Sequence, residues 1–270
     1  MFSKLFAGLT GCLLMSNLFS FSNGLLPFSA TPGVHGVYRG LWAVFDNPAG
    51  IAQKKSFTAG ASYQSRFLLQ QLSAKAFAVV MPAGNVGGFG FGYQQFGYEL
   101  YREQRACALY SRTFGTIVSA GIRFDYLSMR FGDTYGKTGI FTGSAGVIAK
   151  VTDELRVGVS VFNPQRAKVS KDGAEHYEAV MLAALSWNFA NETELAVGIT
   201  KGGNSKAIMQ CGLRYEVSPK FLMHAGVSNG VESFSFGYTF QLSKIEIGMA
   251  SGYHQLLGFS PRFTLIFKNK

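Results

Sequence analysis

From about residue 55 to its end, the chain alternates apolar and polar side chains with a period of two. Successive residues of a strand point to opposite faces, so this is strand patterning. The cleanest stretch is 177–189, where Tyr177, Ala179, Met181, Ala183, Leu185, Trp187 and Phe189 share one face. Glu178, Val180, Leu182, Ala184, Ser186 and Asn188 occupy the other. Val118, Ala120, Ile122, Phe124 and Tyr126 likewise oppose Ser119, Gly121, Arg123 and Asp125, and the pattern returns at 206–215 and 233–240.

Six tight polar or Gly/Pro-containing links, at 82–87, 114–116, 152–154, 190–192, 218–220 and 241–244, punctuate the pattern. Connections of more varied length lie between them, near 65–70, 98–101, 130–137, 163–175, 201–205, 229–232 and 252–256. Fourteen strands are therefore predicted, at about 55–64, 71–82, 87–98, 101–113, 117–129, 138–150, 155–163, 176–189, 193–200, 205–217, 221–229, 233–240, 245–252 and 256–267. Most approach the roughly 9–11 residues that cross a bilayer at a tilt. An even strand count, with short turns on one side and longer loops on the other, predicts an all-β fold, a transmembrane antiparallel barrel with both termini in the periplasm. A soluble sandwich would use shorter strands of about 5–6 residues and a charged outer face. Here the apolar face ends in aromatics, as membrane barrels do.

Composition sharpens this picture. Charged residues are 15%, aromatics 14% with 25 Phe and 12 Tyr, and Gly reaches 33 against 7 Pro. Typical soluble domains carry roughly 25% charge. Disorder is excluded by the aromatics, and an ordinary helical protein by the glycine. No unbroken apolar run beyond the N-terminus reaches the roughly 18 residues of a membrane helix.

Residues 1–24 read as a secretory signal, with Lys4 ahead of an apolar stretch from Leu5 to Phe21. Leu9-Thr10-Gly11-Cys12 looks like a lipoprotein processing box, although the apolar run continues past Cys12 where a lipoprotein turns polar. Cys107 and Cys211 fall on different strands and opposite faces, so no disulfide is expected. The barrel is expected over 55–270, with residues 25–54 as a segment inside it.

Taking the polar parity as lumen-facing places Lys75, Arg105, Arg123, Arg156, Lys206, Arg214 and Arg262 inside, with Asp125, Glu178, Glu194, Glu216, Glu246, Gln210 and His224. Such a lining could favour anions. Because acids and bases are interspersed, cross-strand ion pairs that stiffen the wall and hold a plug are the favoured reading. Ten glycines, at 60, 90, 92, 121, 158, 198, 212, 226, 237 and 248, fall almost entirely on the same parity. Glycine inside a strand often marks close backbone approach, so something is expected to pack against the inner wall. A barrel of this width needs filling or acts as a pore.

Just ahead of the first strand stands Asp46-Asn47-Pro48-Ala49-Gly50-Ile51-Ala52, a folded turn by its Asn-Pro and Gly. This stretch, followed by a fourteen-stranded pattern, resembles the hatch of the FadL-type outer-membrane transporters and equally the PorV/PorQ-type barrels of the type IX secretion system. The resemblance implies that Asp46, Asn47, Pro48, Ala49 and Gly50 are hatch residues. The longest loop, 163–175, is small and basic, whereas FadL-type transporters carry long external loops. That tilts the expectation toward a PorV/PorQ-like accessory barrel with secretion-system protein partners. The alternative is FadL-like passive passage of a small hydrophobic ligand.

Enzymatic signals are weak. Gly226-Val227-Ser228-Asn229-Gly230 matches G-x-S-x-G but sits between two strands instead of a strand and a helix. A Ser/His pair such as Ser251 and His254 at a strand end, and four scattered histidines, lack catalytic or metal-ligand spacing. Gly87-Gly88-Phe89-Gly90-Phe91-Gly92 lacks dinucleotide-site spacing, and no cofactor is expected. The net charge of +10 is assigned to outer-membrane lipid, lipopolysaccharide and lumen pairs, not to nucleic acid. The expected location is the bacterial outer membrane.

Overall fold

The computed structural model describes residues 36–132, 136–168, 176–190, 192–203 and 205–269. The proposed signal, Cys12, residues 25–35 and the tip of the 163–175 loop lie outside the described residues.

Fourteen strands close into one antiparallel barrel. They are β1 (Thr58–Ser65), β2 (Ser73–Pro82), β3 (Gly88–Gly97), β4 (Tyr101–Phe114), β5 (Val118–Phe131), β6 (Lys137–Lys150), β7 (Leu155–Phe162), β8 (Val180–Ala190), β9 (Thr193–Gly202), β10 (Ile208–Ser218), β11 (Phe221–Ser228), β12 (Phe234–Gln241), β13 (Ile245–His254) and β14 (Gly258–Lys268). Each strand pairs with its sequence neighbours, and β1 closes on β14 from Thr58↔Lys268 to Gln64↔Arg262. Closure leaves no unpaired edge, a requirement for any sheet that crosses lipid.

Strand number, order and most boundaries match the period-two pattern. No helix among the described residues is long and apolar enough to cross a membrane. The tight turns share one rim with the C-terminal end of β14 and the entry to β1. The longer connections, 66–72 and 163–179 among them, share the other.

Side chains divide cleanly between the two faces. On β5, Ser119, Arg123 and Asp125 are buried inward while Ile122, Phe124 and Tyr126 are exposed outward. Phe77, Phe91, Phe141, Phe236 and Phe263 continue the outer apolar surface. An exposed aromatic surface of this extent matches the lipid-facing wall of membrane barrels.

Tyr177 departs from the pattern. It was expected on the outer face of a strand beginning at 176, yet β8 starts at Val180 and Tyr177 is buried against Leu127 and Ile140. Its backbone N–H donates to the Ala167 carbonyl at 2.8 Å, which holds the segment in a loop turned inward. Cys107 is buried on the inner wall and Cys211 lies on an outward position, both as free thiols.

Candidate functional site in the barrel lumen

The described part of the segment ahead of β1 folds as two short 3-10 turns, Leu41–Val44 and Pro48–Ile51. Asn47 caps the second: its backbone is extended, Pro48 opens the turn, and its Oδ1 accepts the Ala49 N–H at 3.0 Å. The Asn47 amide donates to the carbonyls of Gly36 (2.8 Å), Val147 on β6 (3.2 Å) and Val159 on β7 (3.3 Å). Asp46 accepts the Gly36 N–H at 2.6 Å, closing the loop between the ends of this segment. Pro48, Ala49 and Gly50 are buried with them.

Local turn chemistry thus shapes the segment, and apolar burial holds it. Leu41, Trp42, Val44, Phe45 and Ile51 form one cluster with Ala74, Ala76, Ala78 and Val80 of β2, Leu109 of β4 and Ile266 of β14. Trp42 is 0% exposed. Several inner-wall glycines, Gly60, Gly90, Gly92, Gly121 and Gly158, stand directly against residues 36–51. At Gly121 a Cβ would come within 2.6 Å of the Pro48 carbonyl carbon, so this close approach needs glycine.

Charge is concentrated beside this segment. Asp125 on β5 receives Arg105 Nε at 2.7 Å and Arg123 Nε at 3.0 Å, with Ser144 Oγ at 3.1 Å. Arg123 also donates to the carbonyls of Val44 and Asp46, both at 3.0 Å. One guanidinium therefore binds a wall carboxylate and two backbone carbonyls of the inner segment. The arrangement is an ion-pair lock, not a ring of free cations. Burying charges is tolerated only where partners and hydrogen bonds offset the lost hydration.

The other expected lumen residues form smaller groups. Glu194 joins Arg156 (2.9 Å) to Arg214 (3.5 Å) near the turn-side rim. At the same rim Glu246 pairs with Lys268. Arg262 donates to Gln64 at 3.1 Å, and Gln64 in turn donates to Glu232 at 3.0 Å. His224 meets Thr239 at 3.2 Å. Gln210 and Glu216 lie on the inward parity of β10, and Glu178 packs against Gly203 at the opposite rim.

Two of these expectations are corrected. Lys75 is exposed on the outer face, because the inward positions of β2 are the small apolar residues that cover the Leu41–Ile51 segment. Lys206 is exposed in the β9–β10 connection, since β10 begins only at Ile208.

Several lumen residues escaped the sequence reading. Gln94 and Glu103 are 1% and 3% exposed on the inner wall, Gln94 in register with Arg105 and Phe96 with Glu103. Glu103 sits two residues from Arg105 on one strand, so shared parity was the available signal. Asn163 is fully buried with φ +51°; its amide donates to the Tyr177 carbonyl at 2.8 Å while its Oδ1 accepts from Thr142 (2.7 Å) and Ala167 (3.0 Å). No local pattern marks that role. Across the mouth, the β1–β2 loop turns through left-handed Phe67 and Leu68 and is tied down by Phe67 N–H to Ser260 Oγ at 3.1 Å. Arg66 lies over the Phe96 ring at 5.1 Å.

The enzyme-like motifs have structural roles. Ser228 Oγ accepts the Gly230 N–H at 2.9 Å within the β11–β12 hairpin. His254 Nδ1 accepts the N–H groups of Leu256 and Leu257, both at 3.1 Å, closing the β13–β14 turn. Among the described residues no three His, Cys, Asp or Glu side chains gather as a metal site.

No protein-family model and no curated protein sequence matches the chain. Solved structures do. The toluene transporter TodX of P. putida superposes with a TM-score of 0.61 at 11% identity, covering 88% of this chain and 95% of that one. The CymD monoaromatic hydrocarbon channel gives 0.60 at 12% identity, over 92% and 96% of the two chains. A Pseudomonas aeruginosa FadL homologue gives 0.56 at 11% identity, over 88% and 97%. These neighbours are channels, and at such identities the likeness establishes the fold: a closed fourteen-stranded antiparallel barrel of the kind found in FadL-type outer-membrane channels.

Proposed function

We propose that this chain is an outer-membrane barrel for the passive passage of small hydrophobic molecules, with residues 25–54 as its hatch. The observation that carries the reading is the apolar seam between Leu41–Ile51 and the inner faces of β2 to β4 and β14. A water-filled porin lumen is polar; here one side of the lumen is closed by a packed hydrophobic core. The buried guanidiniums beside it are engaged by Asp125 and by backbone carbonyls of the inner segment, so they do not line an open anion path. A solute that displaced this packing would itself have to be apolar. The structural likeness to TodX and CymD, described as a toluene transporter and a monoaromatic hydrocarbon channel, supports the same direction. The secretion-accessory role implied by the PorV/PorQ resemblance draws no support from these neighbours.

The test is uptake into proteoliposomes containing the folded full chain. Toluene or a similar monoaromatic should accumulate faster than in protein-free vesicles, while a planar bilayer holding the same protein shows no sustained ionic current. A steady open-pore conductance, or uptake equal to that of empty vesicles, overturns the reading. Recovery of a stoichiometric protein partner from outer membrane would restore the accessory role.

A further inference from the structure

At the turn-side rim, between the inner segment and the wall, lies a polar cleft of about 300 Å³. Arg39 and Gln53 enter it from the segment ahead of β1, and Arg156 and Asn188 from β7 and β8. Lys150 at the end of β6, with Asp153 and Thr116 in the adjoining turns, completes the lining. Arg156 has the inward parity of its strand, in register with Lys150 on one side and the fully buried Ser186 on the other. The cleft therefore opens into the mouth of the barrel and not onto its outer wall.

Donors in this cleft outnumber acceptors. Arg39 donates Nη1 to Gln53 Oε1 at 2.5 Å, and its Nε and Nη2 have no partner among the described residues. Arg156 donates Nε to Ser186 Oγ (3.3 Å), and Nη2 to Asn188 Oδ1 (3.4 Å) and Glu194 Oε1 (2.9 Å), which leaves Nη1. The acceptors are already engaged: Gln53 by Arg39, Asn188 by Arg156, and the second Glu194 oxygen by Arg214 at 3.5 Å. Asp153 is the one carboxylate of the lining, and Lys150 is bound to it. Three cations thus face one acid, and guanidinium forks match the geometry of phosphate and carboxylate oxygens. No Asp or Glu precedes Asp46 in the chain, so the residues ahead of it bring no side-chain anion to the cleft. The β5–β6 and β7–β8 connections, which hold the remaining undescribed acidic side chains, leave from the opposite rim.

We propose that this cleft binds a compact, doubly charged oxyanion, a phosphate or a small dicarboxylate, that bridges Arg39 of the inner segment to Arg156 and Lys150 of the wall. Its oxygens accept from Arg39 Nε and Nη2 and from Arg156 Nη1, and Lys150 balances the second charge. The lining is polar side chains, so a lipid tail or a bare aromatic ring finds no partner there. A bound anion ties the inner segment to the wall at the turn-side rim, apart from the contacts made by Asn47 and Arg123. The site depends on the seating of residues 39–53 inside the barrel and is independent of what crosses the lumen.

The test is calorimetric titration of inorganic phosphate into the folded full chain, in non-ionic detergent and phosphate-free buffer, with malonate and acetate as parallel titrants at constant ionic strength. Phosphate or malonate is expected to bind saturably, and acetate roughly tenfold more weakly for want of the second charge. Tighter binding of phosphate assigns the site to a phosphate group, and tighter binding of malonate to a dicarboxylate. Arg39→Gln and Lys150→Gln should each weaken the dianion about tenfold, through one lost charged contact. Asp153→Asn removes the competing carboxylate and should tighten binding about threefold, the scale of an exposed ion pair. Lys220→Gln, in the β10–β11 turn of the same rim, should leave it unchanged. Heat-modifiable gel mobility confirms folding of each variant. Asp153→Asn alters a side chain that is 85% exposed and keeps the test open if Arg39→Gln does not fold. No saturable binding of either dianion, or an affinity indifferent to Arg39, Lys150 and Asp153, overturns the proposal. An equal loss in Lys220→Gln also overturns it, because the attraction would then belong to the whole rim.

Discussion

Asn47 and Gly146 are complementary shapes: a Cβ on Gly146 of β6 would fall on the Asn47 Oδ1 atom. The same asparagine donates to Val147 and Val159 on the strands that flank the gap. The wall has room for this one side chain because position 146 has none.

Gly146→Val should therefore displace the Asn47–Ile51 turn and cost about 1–3 kcal/mol, the range for overpacking a filled site. Gly143→Ala, three residues away, meets only the Arg123 carbonyl at 3.6 Å and should change stability by less than about 0.5 kcal/mol. Urea titration of the two folded barrels distinguishes them; equal midpoints would refute the seating of Asn47 at Gly146.

Asp125 is the one carboxylate shared by two buried guanidiniums. Asp125→Asn should destabilise by about 3–5 kcal/mol, the cost of leaving buried charge uncompensated. Arg123→Met keeps the wall packed but releases the carbonyls of Val44 and Asp46. It should raise ionic leak across a planar bilayer with the strand content unchanged by circular dichroism. No added leak would mean that the inner segment does not depend on this lock.

Tyr177 predicts an alkaline limit. Burial, reinforced by the Glu103 carboxylate, pushes its phenol well above the ordinary value. A group raised in the folded state leaves stability intact below its unfolded value, about pH 10 for tyrosine, and removes it as pH rises further. Wild type should thus lose stability between about pH 10 and the raised folded value relative to Tyr177→Phe. Denaturation midpoints compared at pH 8 and pH 11 check this, and parallel curves would place Tyr177 in water.

Lipid contact is tested at two depths of the outer wall. Phe124 is 69% exposed near the middle of β5, and Phe124→Lys should cost about 2–4 kcal/mol, as for a cation at the bilayer midplane. Lys75 lies near the loop-side end of β2, where Lys75→Leu should change stability by no more than about 1 kcal/mol. Folding titrations into vesicles of fixed thickness measure both, and a tolerated Phe124→Lys would argue for water on that face.

The sequence by itself determined the fourteen strands, their order and the tight turns, because alternation and turn chemistry are local and repeat every two residues. It also marked Asp46–Gly50 as a turn and, at Gly60, Gly90, Gly92, Gly121 and Gly158, places of close approach to the inner segment. Which parity faced inward on each strand was decided by tertiary structure. A lumen filled by Leu41, Trp42, Phe45 and Ile51 makes the facing wall apolar, so on β2 the alanines point in and Lys75 points out. Polarity reports the lumen only where the lumen is polar, as at Arg105, Arg123 and Asp125. The inward folds of Tyr177 and Phe67 were likewise invisible along the chain. Each is held by partners distant in sequence or by a left-handed backbone no local pattern encodes: Tyr177 by Asn163, Leu127 and Ile140, Phe67 by Ser260.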